Sequence, residues 1–166
     1  MGVKVTIKTD KLKSMQKATE KLKGKTVEVG IFGGEEAWLA AIHEYGCNIK
    51  VTPKMRAYLH TQGLHLKEST EYIKIPERAF IRNGYDKGIG EVEKMIDQVL
   101  ELVIEDKMDS DEFLKTVGLL LSSKIKDYAV ELKIPKNHEF TIERKGSSNP
   151  LVDTGDMIGA ITYRVT

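Results

Sequence analysis

Apolar and polar positions alternate at the start of the chain, where Val3, Val5 and Ile7 are separated by polar neighbours, and this spacing predicts a short strand over residues 3–8. The period then changes. From Asp10 onward Leu12, Met15, Thr19 and Leu22 recur on one helical face, and Gly24 stands where helices commonly end. Lys11, Lys13, Lys17, Lys21 and Lys23 fall on the opposite face and read as solvated surface. Thr26 to Phe32 (TVEVGIF) carries Val27, Val29 and Ile31 on one side and predicts a strand, broken by Gly33-Gly34. Glu35 and Glu36 then suit a helix start, with Trp38, Ala41, Ile42 and Tyr45 as its apolar stripe and Gly46 as its stop. Thr52-Pro53 pairs a cap residue with a first-turn proline and predicts a short helix through Leu59 that ends near Gly63. Ser69 to Ile75 reads as a strand with Ile73 and Ile75 inward, ended by Pro76.

Two long helices follow. Val92, Met95, Ile96, Val99, Leu102 and Val103 recur at three- and four-residue steps over about 85–106. Ser110 is positioned to cap a second helix over 110–132, with Leu114, Val117, Leu121, Tyr128 and Leu132 on its buried side and Pro135 just beyond it. Residues 136–150 read as irregular and polar, apart from a short strand expected at Phe140 to Ile142. Glu143 to Asn149 (ERKGSSN) holds no apolar residue, so a mobile loop with fixed ends is expected there. A short helix and a strand over Ile161 to Val165 close the chain. Strands at both ends around two long helices predict an α+β fold: a small, mostly antiparallel sheet packed against helices.

Composition narrows the class. With 166 residues, 40% apolar and 31% charged, the chain reads as one globular domain, the helical segment about 85–132 being inserted between strand-bearing parts. A net charge of +1 gives no case for a nucleic-acid or membrane-surface protein. Cys47 is the single cysteine, which excludes an intramolecular disulfide and points to a reducing compartment. The opening MGVKVTIKTDKLK has no apolar core region, so no secretory signal is expected, and the loose myristoylation match at Gly2 and Thr6 competes with the strand pattern. No run approaches the roughly 18 apolar residues that cross a bilayer.

Among chemical motifs, Asp153-Thr154-Gly155 after an apolar pair is how aspartic proteases of the retroviral type present their carboxylate. Only eleven residues follow Gly155, too few for the flap and strands such a protease places after the motif. The expected role is instead a helix cap, with Asp153 or Thr154 accepting from first-turn amides and Asp156 assisting. His43-Glu44 lacks the second histidine of a zinc-protease helix, and Gly46 should separate His43 from Cys47. His60, His65 and His138 have no ligand spacing, and neither Gly30 to Gly34 nor Gly88 to Gly90 has the residues of a phosphate-binding loop. No catalytic residue, metal site or cofactor is expected.

Three blocks carry a resemblance. They are Ala40 to Gly46 (AAIHEYG), Ile75 to Arg82 (IPERAFIR) and Arg144 to Gly155 (RKGSSNPLVDTG), the last followed by Ile158-Gly159-Ala160-Ile161-Thr162-Tyr163. In this order and spacing, over residues 25–165, the chain resembles the virion morphogenesis and tail-completion (neck) proteins of tailed bacteriophages and prophages. It departs from their pattern at Ala79, where proline is usual, and at Ala160, where serine is frequent. The resemblance implies a non-enzymatic subunit at the head–tail junction of the virion, made in the bacterial cytoplasm. Its implied partners are further copies of itself in a ring and the connector, adaptor or tail-terminator proteins, with no specific nucleic acid and no membrane. It also implies that His43, Glu44, Tyr45 and Gly46 fix a turn and that Arg78, Phe80 and Arg82 anchor a strand end, the arginines pairing with carboxylates. Asp153, Thr154 and Gly155 complete the motif, and Arg144 and Lys145 are candidate interface residues. Two other readings stay open: a homodimeric protease using Asp153, and a generic protein-binding module.

Overall fold

The computed structural model describes residues 11–166; the strand expected over residues 3–8 and the helix start at Asp10 lie outside them. Helices take up 58% of the structure and strands 10%, in small antiparallel pairs, so the class is α+β with helix dominant. In chain order the elements are α1 (Lys11–Leu22), β1 (Val27–Gly30), α2 (Gly34–Tyr45), β2 (Cys47–Lys50), α3 (Pro53–Thr61) and β3 (Tyr72–Ile75). They continue with α4 (Phe80–Ile104), α5 (Ser110–Glu131), α6 (Glu139–Lys145), α7 (Asp156–Gly159) and β4 (Thr162–Val165).

The strands make two separate antiparallel pairs rather than one sheet. β1 pairs with β4 in the register Val27↔Val165 and Val29↔Tyr163, extended by reciprocal backbone bonds between Thr26 and Thr166. β2 pairs with β3, Cys47 opposite Ile75. α4 and α5 pack together as a long hairpin, and the β1–β4 pair lies on α5. Phe80, Val92, Ile125, Ala129 and Ile161 lie at the centre of the main core, while Ala18, Val103, Phe113 and Leu114 form a second cluster under α1.

Several expectations shift on contact with tertiary structure. α4 starts at Phe80 rather than Tyr85. α5 is capped by Asp109, which accepts from the Asp111 amide at 2.9 Å, while Ser110 is a buried first-turn residue. Phe140 to Ile142 is helix, not strand. His138 Nδ1 accepts from the Phe140 amide at 3.3 Å, and Gly146, at φ 66°, ends α6 with its amide on the Ile142 carbonyl. The expected mobile loop therefore begins inside a helix. On α1 only Ala18 is buried, with Ser14 and Leu22 half-buried on the same face, leaving Leu12 and Met15 exposed. The lysine row lies along acidic residues, Lys11 on Glu101 and Glu105, Lys17 on Asp106, Lys21 on Asp109 and Lys25 on Asp111. On α2 the expected stripe is reversed: Ala40 and Glu44 are buried, whereas Trp38 and Tyr45 stand out in solvent.

Candidate functional site

The end of α2, the turn before α4 and the segment before α7 meet at a polar junction built on the buried Glu44 and Arg78, and its residues come from all three sequence blocks. Glu44 is 4% exposed and organises one half. Its two carboxylate oxygens accept from the Ile81 amide at 2.8 Å, the Arg82 amide at 3.1 Å and Arg82 Nε at 2.9 Å. The first amides of a helix have no partner within it, so a carboxylate supplied from another helix caps α4 and meets the positive end of its dipole. Arg82 also donates to the Glu44 carbonyl and to Glu77, and its guanidinium lies 5.0 Å from the centre of the Tyr45 ring. The hydrogen bonds it donates to Glu44, then to Glu77, raise the Arg82 pKa further.

Arg78, itself buried, organises the other half. One of its terminal nitrogens donates to His43 Nδ1 at 2.7 Å, the other to Asn137 Oδ1 at 2.7 Å, and Nε donates to the Pro135 carbonyl at 3.3 Å. Arginine is a donor only, so His43 must accept at Nδ1 and is neutral, with its proton on Nε2. Burial, then the charges of Arg78 and Lys145, push the His43 pKa down to about 4. Burial also lowers the Arg78 pKa. The expected carboxylate partner is thus found for Arg82, while Arg78 uses a neutral imidazole, an amide and a carbonyl.

Backbone bonds lock the two strips together: the Arg78 amide donates to the His43 carbonyl at 2.8 Å and the Ala79 amide to the Glu44 carbonyl at 3.2 Å. Gly46, at φ 69° and ψ 165°, lies where a side chain would be strained, and a Cβ there would come within 2.7 Å of the Glu77 nitrogen. Ala79 occupies the left-handed region at φ 45°, which a proline ring forbids. Phe80, fully buried, plugs the main core directly beneath.

The third block joins through two asparagines that sequence reasoning passed over. Asn137 passes Arg78's contact on, its amide donating to the Pro150 carbonyl at 3.2 Å. Asn149 Oδ1 accepts from the Leu151 and Val152 amides at 2.8 and 3.0 Å, and its amide donates to the Val130 carbonyl at 2.6 Å. An Asn-Pro pair signals this kind of turn, whereas nothing local singles out Asn137. Lys145 is half-buried, donates to the Asn149 and Pro150 carbonyls and has its pKa lowered by burial. Arg144 is exposed and donates to Gln62 at the end of α3 at 2.7 Å. Of the two candidate interface residues, Lys145 is thus turned inward and Arg144 bridges two elements.

Asp153 is not a cap. Gly155, at φ 95°, holds the cap position of α7, and Thr154 Oγ1 accepts from the Asp156 amide at 3.4 Å and donates to its carboxylate at 2.5 Å. Asp153 stands exposed on the wall of a groove of about 930 Å3 that runs between the start of α2 and the start of α7, lined also by Glu35, Glu36, Trp38, Leu39 and Met157. Among the described residues no group of three potential ligands could hold a metal ion, and no helix is long and apolar enough to cross a membrane. No family model, curated protein or solved structure matches the chain.

Proposed function

We propose that this protein is a structural subunit of virion assembly in a tailed phage or prophage, acting at the head–tail junction through protein–protein contacts and without catalysis. The observation that carries this reading is the junction just described. The residues of the three resembling blocks meet in space and bond to one another: His43 to Arg78, Glu44 to Arg82, and Arg78 through Asn137 to Pro150. A constellation whose donors and acceptors satisfy each other sets backbone geometry, which is what an assembly subunit needs from its most distinctive residues. The subunit is made in the host cytoplasm and works in the virion, with further copies of itself and a connector, adaptor or tail-terminator protein as partners. The test is a strain lacking the gene, inspected by electron microscopy after induction or infection. DNA-filled heads and complete tails that fail to join, or heads that leak DNA, are expected. Normal, infectious virions would overturn the reading.

A further inference from the structure

Residues 47–75, comprising β2, α3 and β3, form an arm in which every residue is exposed or half-buried, although it carries apolar residues throughout. Two of its tyrosines are largely exposed, Tyr58 at 59% and Tyr72 at 53%. The arm is basic: Lys50, Lys54, Arg56, Lys67 and Lys74 face only Glu68 and Glu71. Arg56 is used internally, donating to four carbonyls between Leu66 and Thr70, but none of the four lysines has a carboxylate within ion-pair distance among the described residues.

The groove beside Asp153 is the complement. Its apolar lining includes Trp38, 69% exposed, and Leu39, and its rim carries Glu35, Glu36, Asp153 and Asp156. None of these four carboxylates has a cation within ion-pair distance among the described residues, whereas the carboxylates facing α1 are paired. No residue of the arm lines the groove. The arm leaves the body at the C-terminal end of α2 and the groove flanks its N-terminal end, so the two surfaces are different and separately placed.

We infer that the basic arm of one copy seats in the acidic-rimmed groove of a second copy. Tyr58, one helical turn from Lys54 on the exposed side of α3, is the anchor for the apolar lining, with Lys50 and Lys54 over the acidic rim. Because the two faces of such a contact differ, it is heterologous: each copy keeps one free arm and one free groove, and the series ends only by closing into a ring or growing as a filament. This inference deepens the assembly reading and rests on it.

Analytical ultracentrifugation of the wild type and two charge-reversed proteins, with Tyr58→Ala as a fourth, tests it. One reversed protein carries Glu35→Lys with Asp153→Lys, and the other carries Lys50→Glu with Lys54→Glu. The wild type is expected to sediment as an oligomer at or below about 100 µM, and each charge-reversed protein to associate at least about tenfold more weakly. An equimolar mixture should regain association, since the reversed arm of one protein matches the reversed groove of the other. Tyr58→Ala, at an exposed position, supplies a version that leaves every charge in place and is expected to weaken association by a similar factor. A monomeric wild type, single variants that associate like wild type, or a mixture that stays monomeric would each overturn the arm–groove contact. The assembly reading is judged separately, by the virions of the deletion strain.

Discussion

Glu44 is the acceptor that lets α4 begin where it does. The residue at the cap position, Ala79, has no side-chain acceptor, so the Ile81 and Arg82 amides turn to a carboxylate thirty-odd positions earlier in the chain. Glu44→Ala would leave the Ile81 and Arg82 amides without their acceptor where the carboxylate is now buried, and we expect a loss of about 3 kcal/mol in urea unfolding. Glu44→Gln keeps the shape and one acceptor and should lose roughly half of that. Equal stability for wild type and Glu44→Ala would remove the cap from the account. His43 makes a pH-dependent prediction. Its ordinary pKa of 6.5 applies to the unfolded chain, while the folded value is about 4. Above 6.5 both states hold a neutral ring. Between 6.5 and about 4 the unfolded chain takes up a proton that the folded one refuses, so stability falls as pH falls through that window and levels off below it. His43→Gln retains an acceptor for Arg78 without titrating. Its unfolding midpoint should decline less steeply than that of wild type between pH 6.5 and pH 4, and identical slopes would count against a neutral, half-buried imidazole.

At the scale of elements, the crossing of α4 and α5 depends on what is missing from Gly84 and Gly88. A Cβ on Gly84 would lie 3.0 Å from the Ile125 backbone and 3.3 Å from Tyr128 Cβ, and one on Gly88 would meet Lys124 at 2.6 Å. The Lys124 side chain can swing away, whereas the Ile125 backbone cannot. Gly84→Ala gains helix propensity but must push the helices apart, and a net loss of about 1–2 kcal/mol in the thermal or urea midpoint is expected. A stabilised Gly84→Ala would show that the helices separate at no cost. The periodicity of Val92, Ile96, Val99 and Val103 marked the body of α4 in the sequence. It could not mark the first turn, whose glycine, asparagine and arginine look like a loop until a second helix and a remote carboxylate are in place. The short helices behaved differently. Thr52 and Pro53 carried their own instructions, and Thr52 Oγ1 accepts from the Met55 amide at 3.1 Å as the pattern required. α6 did not, because the cap that defines it is a histidine, a residue type with several other uses.

For the molecule as a whole, residues 27–30 and 162–165 are brought together by the β1–β4 pair, on which α5 packs, and Gly118 leaves room for the Tyr163 ring of β4. The α+β class, the two long helices, the Thr52 cap, the break at Gly33-Gly34 and the stop at Gly46 were all legible in the sequence. Each rests on near-neighbour physics: residue spacing along one helix face, a side chain reaching its own first turn, or a glycine's freedom at positive φ. What the tertiary structure alone decided is which apolar stripe would be covered and which partner each polar group would find. Trp38 and Tyr45 have the spacing of a core stripe, yet α2 buries the face of Ala40 and Glu44 because the cap of α4 and the small side chain fit there. Arg78 has the chemistry to grip a carboxylate, yet the surfaces that enclose it offer a ring nitrogen, an amide and a carbonyl. Asp153 has the place of a cap in the sequence, yet the backbone turns at Gly155 and leaves its carboxylate on the rim of a groove. Periodicity tells how often a chain repeats along one element; only packing between distant elements fixes which side faces in and what waits there.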